Sequence, residues 1–165
     1  MTALRHEPAA LILSREALPT LDRSTLAPAS GVARGGYVLA EADGGTAEVI
    51  LLATGSQVHL ALTARQELQS DGIRTRVVSL PCWELFDRQP QAYRDQVLPP
   101  SVTARVAVEE ASTLGWDRYV GDSGAVIGMH TFGASAPLKQ LLTKFGFTPD
   151  QVAQVARDRV AAARR

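Results

Sequence analysis

Glu109 and Glu110, side by side, are the first place to look for acid–base chemistry in this sequence. They close the apolar run "ARVAVEE" (104 to 110), which reads as a strand, and neighbouring strand residues point to opposite faces. One substrate cannot meet both unless the strand ends between them; one buried and one solvated carboxylate at a strand end is the simpler reading. His6, His59 and His130 show no metal-ligand spacing with one another or with a nearby carboxylate. His59 falls in the first turn of a helix and is expected to be partly exposed. His130, beside Thr131 in a glycine-bounded loop, is the histidine placed most like a site residue. Cys82 is the only cysteine and has no cation nearer in sequence than Arg88, so it reads as a small buried filler.

Two stretches raise the question of anion binding. In "ILLATGSQVHLALTARQEL" (50 to 68) an apolar run, a Thr-Gly-Ser turn and a helical pattern follow one another, as in many phosphate sites. A phosphate cradle, however, needs several glycines so that backbone amides can crowd the anion, and a P-loop needs a lysine. "ATGSQVH" has one glycine and no lysine. A helix capped by Thr54 or Ser56 accounts for the turn without a ligand, so Gly55 reads as a corner. Arg15 follows Ser14 at the end of the apolar run "AALIL" (9 to 13), which reads as a strand, where a parallel sheet would present it at its binding edge. An arginine there can grip a phosphate through two parallel N–H bonds; a solvated linker arginine is the competing reading. The loop "GMHTFGASAP" (128 to 137) holds His130, Thr131 and Ser135 among small residues, between a strand and a proline-started helix. Open sheets bind ligands at such places, but small residues also suit close approach of another subunit, and composition leaves both open.

The elements that must position these residues follow from periodicity. "YVLAEA" (37 to 42) reads as a short strand and "DGG" (43 to 45) as a hairpin-type turn. "EVILLAT" (48 to 54) is nearly all apolar, as expected of a strand buried on both faces. Val58, Leu60, Ala61, Leu62, Ala64 and Leu68 form a helical apolar face that ends before Gly72. "RTRVVSL" (74 to 80) and "AVIGM" (125 to 129) are further strands, and "ELFDRQPQAYRDQVLPP" holds short helical pieces cut by proline. Leu138, Leu141, Leu142 and Phe145 stand at helical spacing, and Thr148 with Pro149 starts a last helix. Trp83 and Trp116, each just after a strand, read as packing anchors. The stretch between residues 14 and 36 has no sustained period and looks like a linker, long for a loop inside a compact domain. Alternating strands and helices predict a three-layer α/β domain with about five mainly parallel strands.

The totals exclude some functions. With 165 residues the chain can bury a core unaided. Seventeen basic side chains balance seventeen acidic ones, which argues against nucleic acid and anionic membranes as partners. One cysteine permits no internal disulfide and suits a reducing compartment. No apolar stretch reaches the roughly 18 residues of a membrane span, and the N-terminus lacks the order of a signal peptide. A cytoplasmic chain is expected.

In order, "LILSRE", "GGYVL", "ILLATGSQV", "RVVSLPCWELFDRQ", "YRDQVLP", "ARVAVEEASTLGWDRYVG" and "IGMHTFGASAPLKQLLTKFGFT" resemble transketolases, from about Pro8 to the C-terminus. The resemblance implies the third, C-terminal domain (34 to 165), preceded by a tail of the middle domain and a linker (1 to 33). It implies a five-stranded sheet with the first strand antiparallel, in line with the "DGG" turn. Transketolases move a two-carbon ketol unit from a ketose phosphate to an aldose phosphate with thiamine diphosphate and a divalent cation such as magnesium. In the family both are held by the first two domains, so this chain is expected to hold neither cofactor nor metal and no catalytic residue. Implied partners are the remaining transketolase domains and, in the whole enzyme, a second subunit of a homodimer. The family's "SRQ" segment binds the sugar phosphate through its arginine, here Arg15, with Glu16 replacing the usual glutamine. Gln57 stands where a glutamate is usual. Residues 1 to about 30 are expected to be disordered or packed against the core or a neighbouring molecule. Two other functions stay in view: a small regulatory ligand-binding module using the 128 to 137 loop, and one subunit of a split transketolase.

Overall fold

The computed structural model describes residues 7–15 and 17–165. Five strands, β1 (Tyr37–Ala40), β2 (Val49–Ala53), β3 (Thr75–Ser79), β4 (Arg105–Ser112) and β5 (Ala125–Met129), form one sheet in the order β1-β3-β2-β4-β5. All pairings are parallel except β1 with β3. The helices are α1 (Gln57–Ser70), α2 (Trp83–Asp87), α3 (Gln91–Val97), α4 (Asp117–Val120), α5 (Leu138–Phe145) and α6 (Pro149–Ala163).

The pleat divides the core into two. Val49, Leu51, Val77, Val106 and Val108 face the long helices α1 and α6, through Ala61, Ala64, Leu68, Val152 and Ala156. Ile50, Leu52, Val78 and Ala107 face the other way, onto Phe86, Val97, Trp116 and Tyr119 of the shorter α2–α4 layer. Every residue of β2 is fully buried, as its uninterrupted apolar run requires of a strand covered on both sides. Trp116 is 1% exposed and meets Trp83 edge-on at 5.1 Å between ring centres, so both tryptophans anchor this layer.

Two local expectations need correction. The "DGG" turn reverses the chain but closes no hairpin, because β3 lies between β1 and β2. Asp43 is tied instead to α1, through Arg65 at 2.8 Å and through Gln69, while Arg74 Nε donates to the Thr46 carbonyl at 2.8 Å. The strand that is apolar on both faces takes the centre, and the shorter β1, irregular between Val38 and Ala40, is left at the edge. The run 9–13 forms no strand: Leu11, Ile12 and Leu13 are 64%, 92% and 74% exposed. An apolar run becomes a strand only with a ladder partner, and the described sheet offers it none. Further along, Leu21, Leu26 and Ala27 pack on the core, and the Ala27 amide donates to the Leu39 carbonyl at 3.0 Å.

Thr148 caps α6 as expected, its Oγ1 accepting from the Gln151 amide at 3.3 Å. The far end of α6 is tied to the start of β2 by Glu48, which faces Arg164 at 2.5 Å and Arg74 at 3.3 Å. The Arg164 hydrogen bond, then Arg74, hold the Glu48 carboxyl below the ordinary glutamate range, against the opposing pull of burial. A depressed carboxylate stabilises the fold above its unfolded value, near 4.5, and that contribution fades as pH falls through the folded value. Glu48→Gln should therefore cost about 1 kcal/mol near pH 7, modest because both arginines are well exposed. Urea midpoints of the two proteins should converge below pH 4; a gap that persists there would refute the assignment.

Candidate functional site

The strand order turns back on itself between β2 and β4: the chain leaves β2 toward β3, and β4 toward β5. In open α/β sheets the crevice beyond the carboxyl ends of two such strands is the usual ligand position. Here it is bounded by Thr54-Gly55-Ser56 after β2 and by the end of β4. A cleft of about 680 Å³ beside it includes Thr54, Cys82, Glu84, Arg88 and Glu109, with Glu7 to Ala10 and Ile12 of the N-terminal segment along one wall. Glu7 pairs with Arg88 at 2.7 Å.

Gly55 has φ +54° and open space where a Cβ would stand. The amides that could crowd an anion are already used: Gln57, Val58 and His59 donate to the carbonyls of Thr54, Gly55 and Ser56 at 3.1, 3.4 and 3.3 Å. Neither expected cap forms; the Ser56 hydroxyl instead accepts from Gln57 Nε2 at 2.9 Å. The turn is a corner, and it does not fit a diphosphate. Among the described residues no cluster of three or more His, Cys, Asp and Glu is placed to hold a metal ion.

Glu109 and Glu110 lie inside β4, which runs two residues further than expected, to Ser112. Glu109 is half-buried and Glu110 exposed. Burial pushes the Glu109 carboxyl up, opposed by the Ala111 amide that donates to its Oε1 at 3.1 Å, with the Glu110 charge adding to the rise. The two carboxylates differ in environment as expected and do not form an acid–base pair. Cys82 is half-buried rather than buried, and its thiol donates to Glu84 Oε2 at 3.4 Å. His59 is half-buried on α1; His6 lies outside the described residues.

Arg15 is exposed, and so are His130, Thr131 and Ser135. The whole stretch 130–140 is exposed, with Phe132 99% so, and the Thr131 hydroxyl donates only to the adjacent Phe132 carbonyl at 3.3 Å. Among the described residues no hydrogen bond or ion pair joins Arg15 to this loop. Exposed apolar side chains on a loop of small residues suit a contact surface better than an enclosed pocket.

The sequence reading missed a second polar centre. Arg105, first residue of β4, donates to four carbonyls: from Nε to Val102 at 2.9 Å, from Nη1 to Tyr119 at 2.8 Å, and from Nη2 to Leu98 and Pro99 at 3.1 and 2.9 Å. Burial pushes its guanidinium below the usual arginine value. Beside it the Tyr119 hydroxyl donates to Asp87 Oδ1 at 3.0 Å; burial and then Asp87 push that phenol well up, so it stays a donor. The signal available in the sequence was the charge opening an otherwise apolar strand.

The sequence matches the family described as the transketolase-like TK C-terminal domain over residues 35–148. It is 46% identical over 146 residues to the transketolase of Geobacillus stearothermophilus, covering 88% of this chain and 22% of that protein. It is 49% identical over 151 residues to transketolase 1 of Escherichia coli K12, covering 92% and 22%. Among solved structures, a Pichia stipitis transketolase in complex with sedoheptulose 7-phosphate superposes with TM-score 0.81 at 37% identity, over 91% of this chain and 21% of that one. A split gene transketolase, solved as an inactive beta4 tetramer, shares the fold at TM-score 0.62 and 22% identity, over 78% of this chain and 43% of that one. The chain thus spans about a fifth of the length of the curated relatives it matches. Among the described residues no helix is long and apolar enough to cross a membrane. The chain belongs to the transketolase family, and the part of that family it represents is the C-terminal domain.

Proposed function

We propose that this chain serves a cytoplasmic transketolase as its C-terminal domain, giving body and contact surface to the subunit while the other domains perform ketol transfer. The observation that carries this is the close match along nearly the whole chain to only a fifth of each relative. In the whole enzyme thiamine diphosphate supplies the carbanion chemistry, with a divalent cation, and the residues described here fit neither group. Alone, the chain is catalytically inert. The 128–137 loop, with His130, Thr131 and Ser135, faces another domain or the second subunit of a homodimer. Arg15, set in a tail that ends near residue 33, contacts the phosphate of the sugar substrate in the assembled enzyme. Nucleic acid and membranes are not partners.

The test is calorimetry and a coupled assay on the purified chain with thiamine diphosphate, magnesium, a ketose phosphate and an aldose phosphate. Neither saturable heat from the cofactor nor ketol transfer is expected. Micromolar affinity for thiamine diphosphate would overturn the domain's role. In a full-length enzyme carrying this domain, Arg15→Ala should raise KM for phosphorylated sugars about tenfold or more, the scale of losing one charge-assisted contact. An unchanged KM would remove Arg15 from the site.

A further inference from the structure

A cleft of about 510 Å³ opens on the α2–α4 side of the sheet, at the amino end of β4. Its walls carry three guanidinium groups, of Arg94, Arg105 and Arg118, against two carboxylates, of Asp87 and Asp95. Both carboxylates are already engaged. Asp87 accepts from Tyr119 and faces Arg118 at 3.4 Å, and Asp95 accepts from Gln91 Nε2 at 2.7 Å.

The arginines are less well matched. Arg94 donates from Nη2 to Gln91 Oε1 at 2.5 Å, but its Nε is buried and, among the described residues, has no acceptor. Buried donors are ordinarily satisfied, so an unmet one calls for an explanation. Arg105 meets carbonyl dipoles but, among the described residues, no carboxylate at ion-pair distance, so its charge is uncompensated. Arg118 is exposed, holds Asp87 only at that long 3.4 Å, and lies over the Trp83 ring at 5.5 Å.

We propose that this cleft binds a small phosphate-bearing anion through Arg94 and Arg118, with Arg105 adding charge from its wall. Arginine forks on two separate helices suit a tetrahedral oxyanion, which offers acceptors in more than one direction. The volume exceeds what a bare anion needs, and Phe86 and Leu98 give it an apolar side, so a phosphate monoester fits the space as well as the charge. The inference stands on this cleft alone and does not rest on the chain's role in ketol transfer.

The test is a titration followed by amide NMR at constant ionic strength, with inorganic phosphate in one arm and glucose 6-phosphate in the other. Saturable shifts confined to amides 87–105 and 117–120 are expected. Arg94→Gln and Arg118→Gln should each weaken binding about tenfold or more, and their spectra report directly whether each variant is folded. Tighter binding of the ester would place its organic part on the Phe86 and Leu98 wall, and equal affinities would identify free phosphate as the ligand. Shifts that never saturate, or that are as large around Arg74 and Arg157, would overturn the proposal. So would a folded pair of variants that bind like the parent.

Discussion

Gly35→Ala should cost more than about 4 kcal/mol, enough to leave the chain largely unfolded or to abolish its soluble expression. Gly35 has φ +81°, where an L side chain is strained, and that alone costs roughly 1–2 kcal/mol. The larger part is space. A Cβ there would stand 2.3 Å from the Phe86 amide nitrogen and 2.4 Å from the Cys82 carbonyl oxygen. Both are backbone atoms, so no side-chain rotation relieves the overlap. The same glycine's carbonyl accepts from the Cys82 amide at 3.0 Å, so the segment cannot back away without giving up that bond. Gly55→Ala is the control, because its φ is also left-handed, at +54°, with nothing within contact distance. It should cost about 1 kcal/mol. Urea midpoints of the two variants separate strain from overlap, and equal costs would refute the close approach of Gly35 to α2.

Arg105→Met should cost about 3 kcal/mol, which for a domain of this size lowers Tm by roughly 6–12 °C. The methionine keeps the apolar stem but strands four carbonyls that the guanidinium now satisfies. The loss is partly offset because burying an arginine is itself unfavourable. Arg105→Lys is the sharper comparison. A lysine keeps the charge but has three donors at one point, whereas these four carbonyls belong to residues 98, 99, 102 and 119 on different turns of the chain. It should recover less than half of the lost stability. Full recovery by lysine would mean that charge, and not the fork of donors, holds these turns together.

These two cases mark where the sequence stops being legible. The strands of the core could be read from their apolar runs, because β2 is buried on both faces and its composition says so. Thr148 and Pro149 announced α6 through local chemistry, the capping hydroxyl and the fixed φ of proline. What a local pattern cannot hold is the choice of partner. "DGG" reverses the chain in either topology, and only the competition for the centre of the sheet decides that β3 separates β1 from β2. The run 9–13 is apolar enough for a buried strand, and among the described residues it has no strand to pair with. Arg105 opens β4 as one charge beside an apolar run, and nothing in that run shows that its four acceptors lie in the loop before it and at Tyr119. The candidate site divides in the same way. The family's motif pointed to Arg15 and loop composition to 128–137, while the Arg94–Arg118 cleft exists only after folding brings α2, α3 and α4 together.

The two faces of the sheet are held by unlike means. One carries α1 and α6, each of three or more turns and packed along its length. The other carries helices of two turns or fewer, too short to persist unaided, fastened by an aromatic cluster and one arginine. Such a domain is expected to have a slow side and a fast side. The aromatic layer, with its cleft, can loosen as a unit while the sheet and long helices keep their hydrogen bonds, so amide exchange in α2–α4 should run ahead of that in α1 and α6.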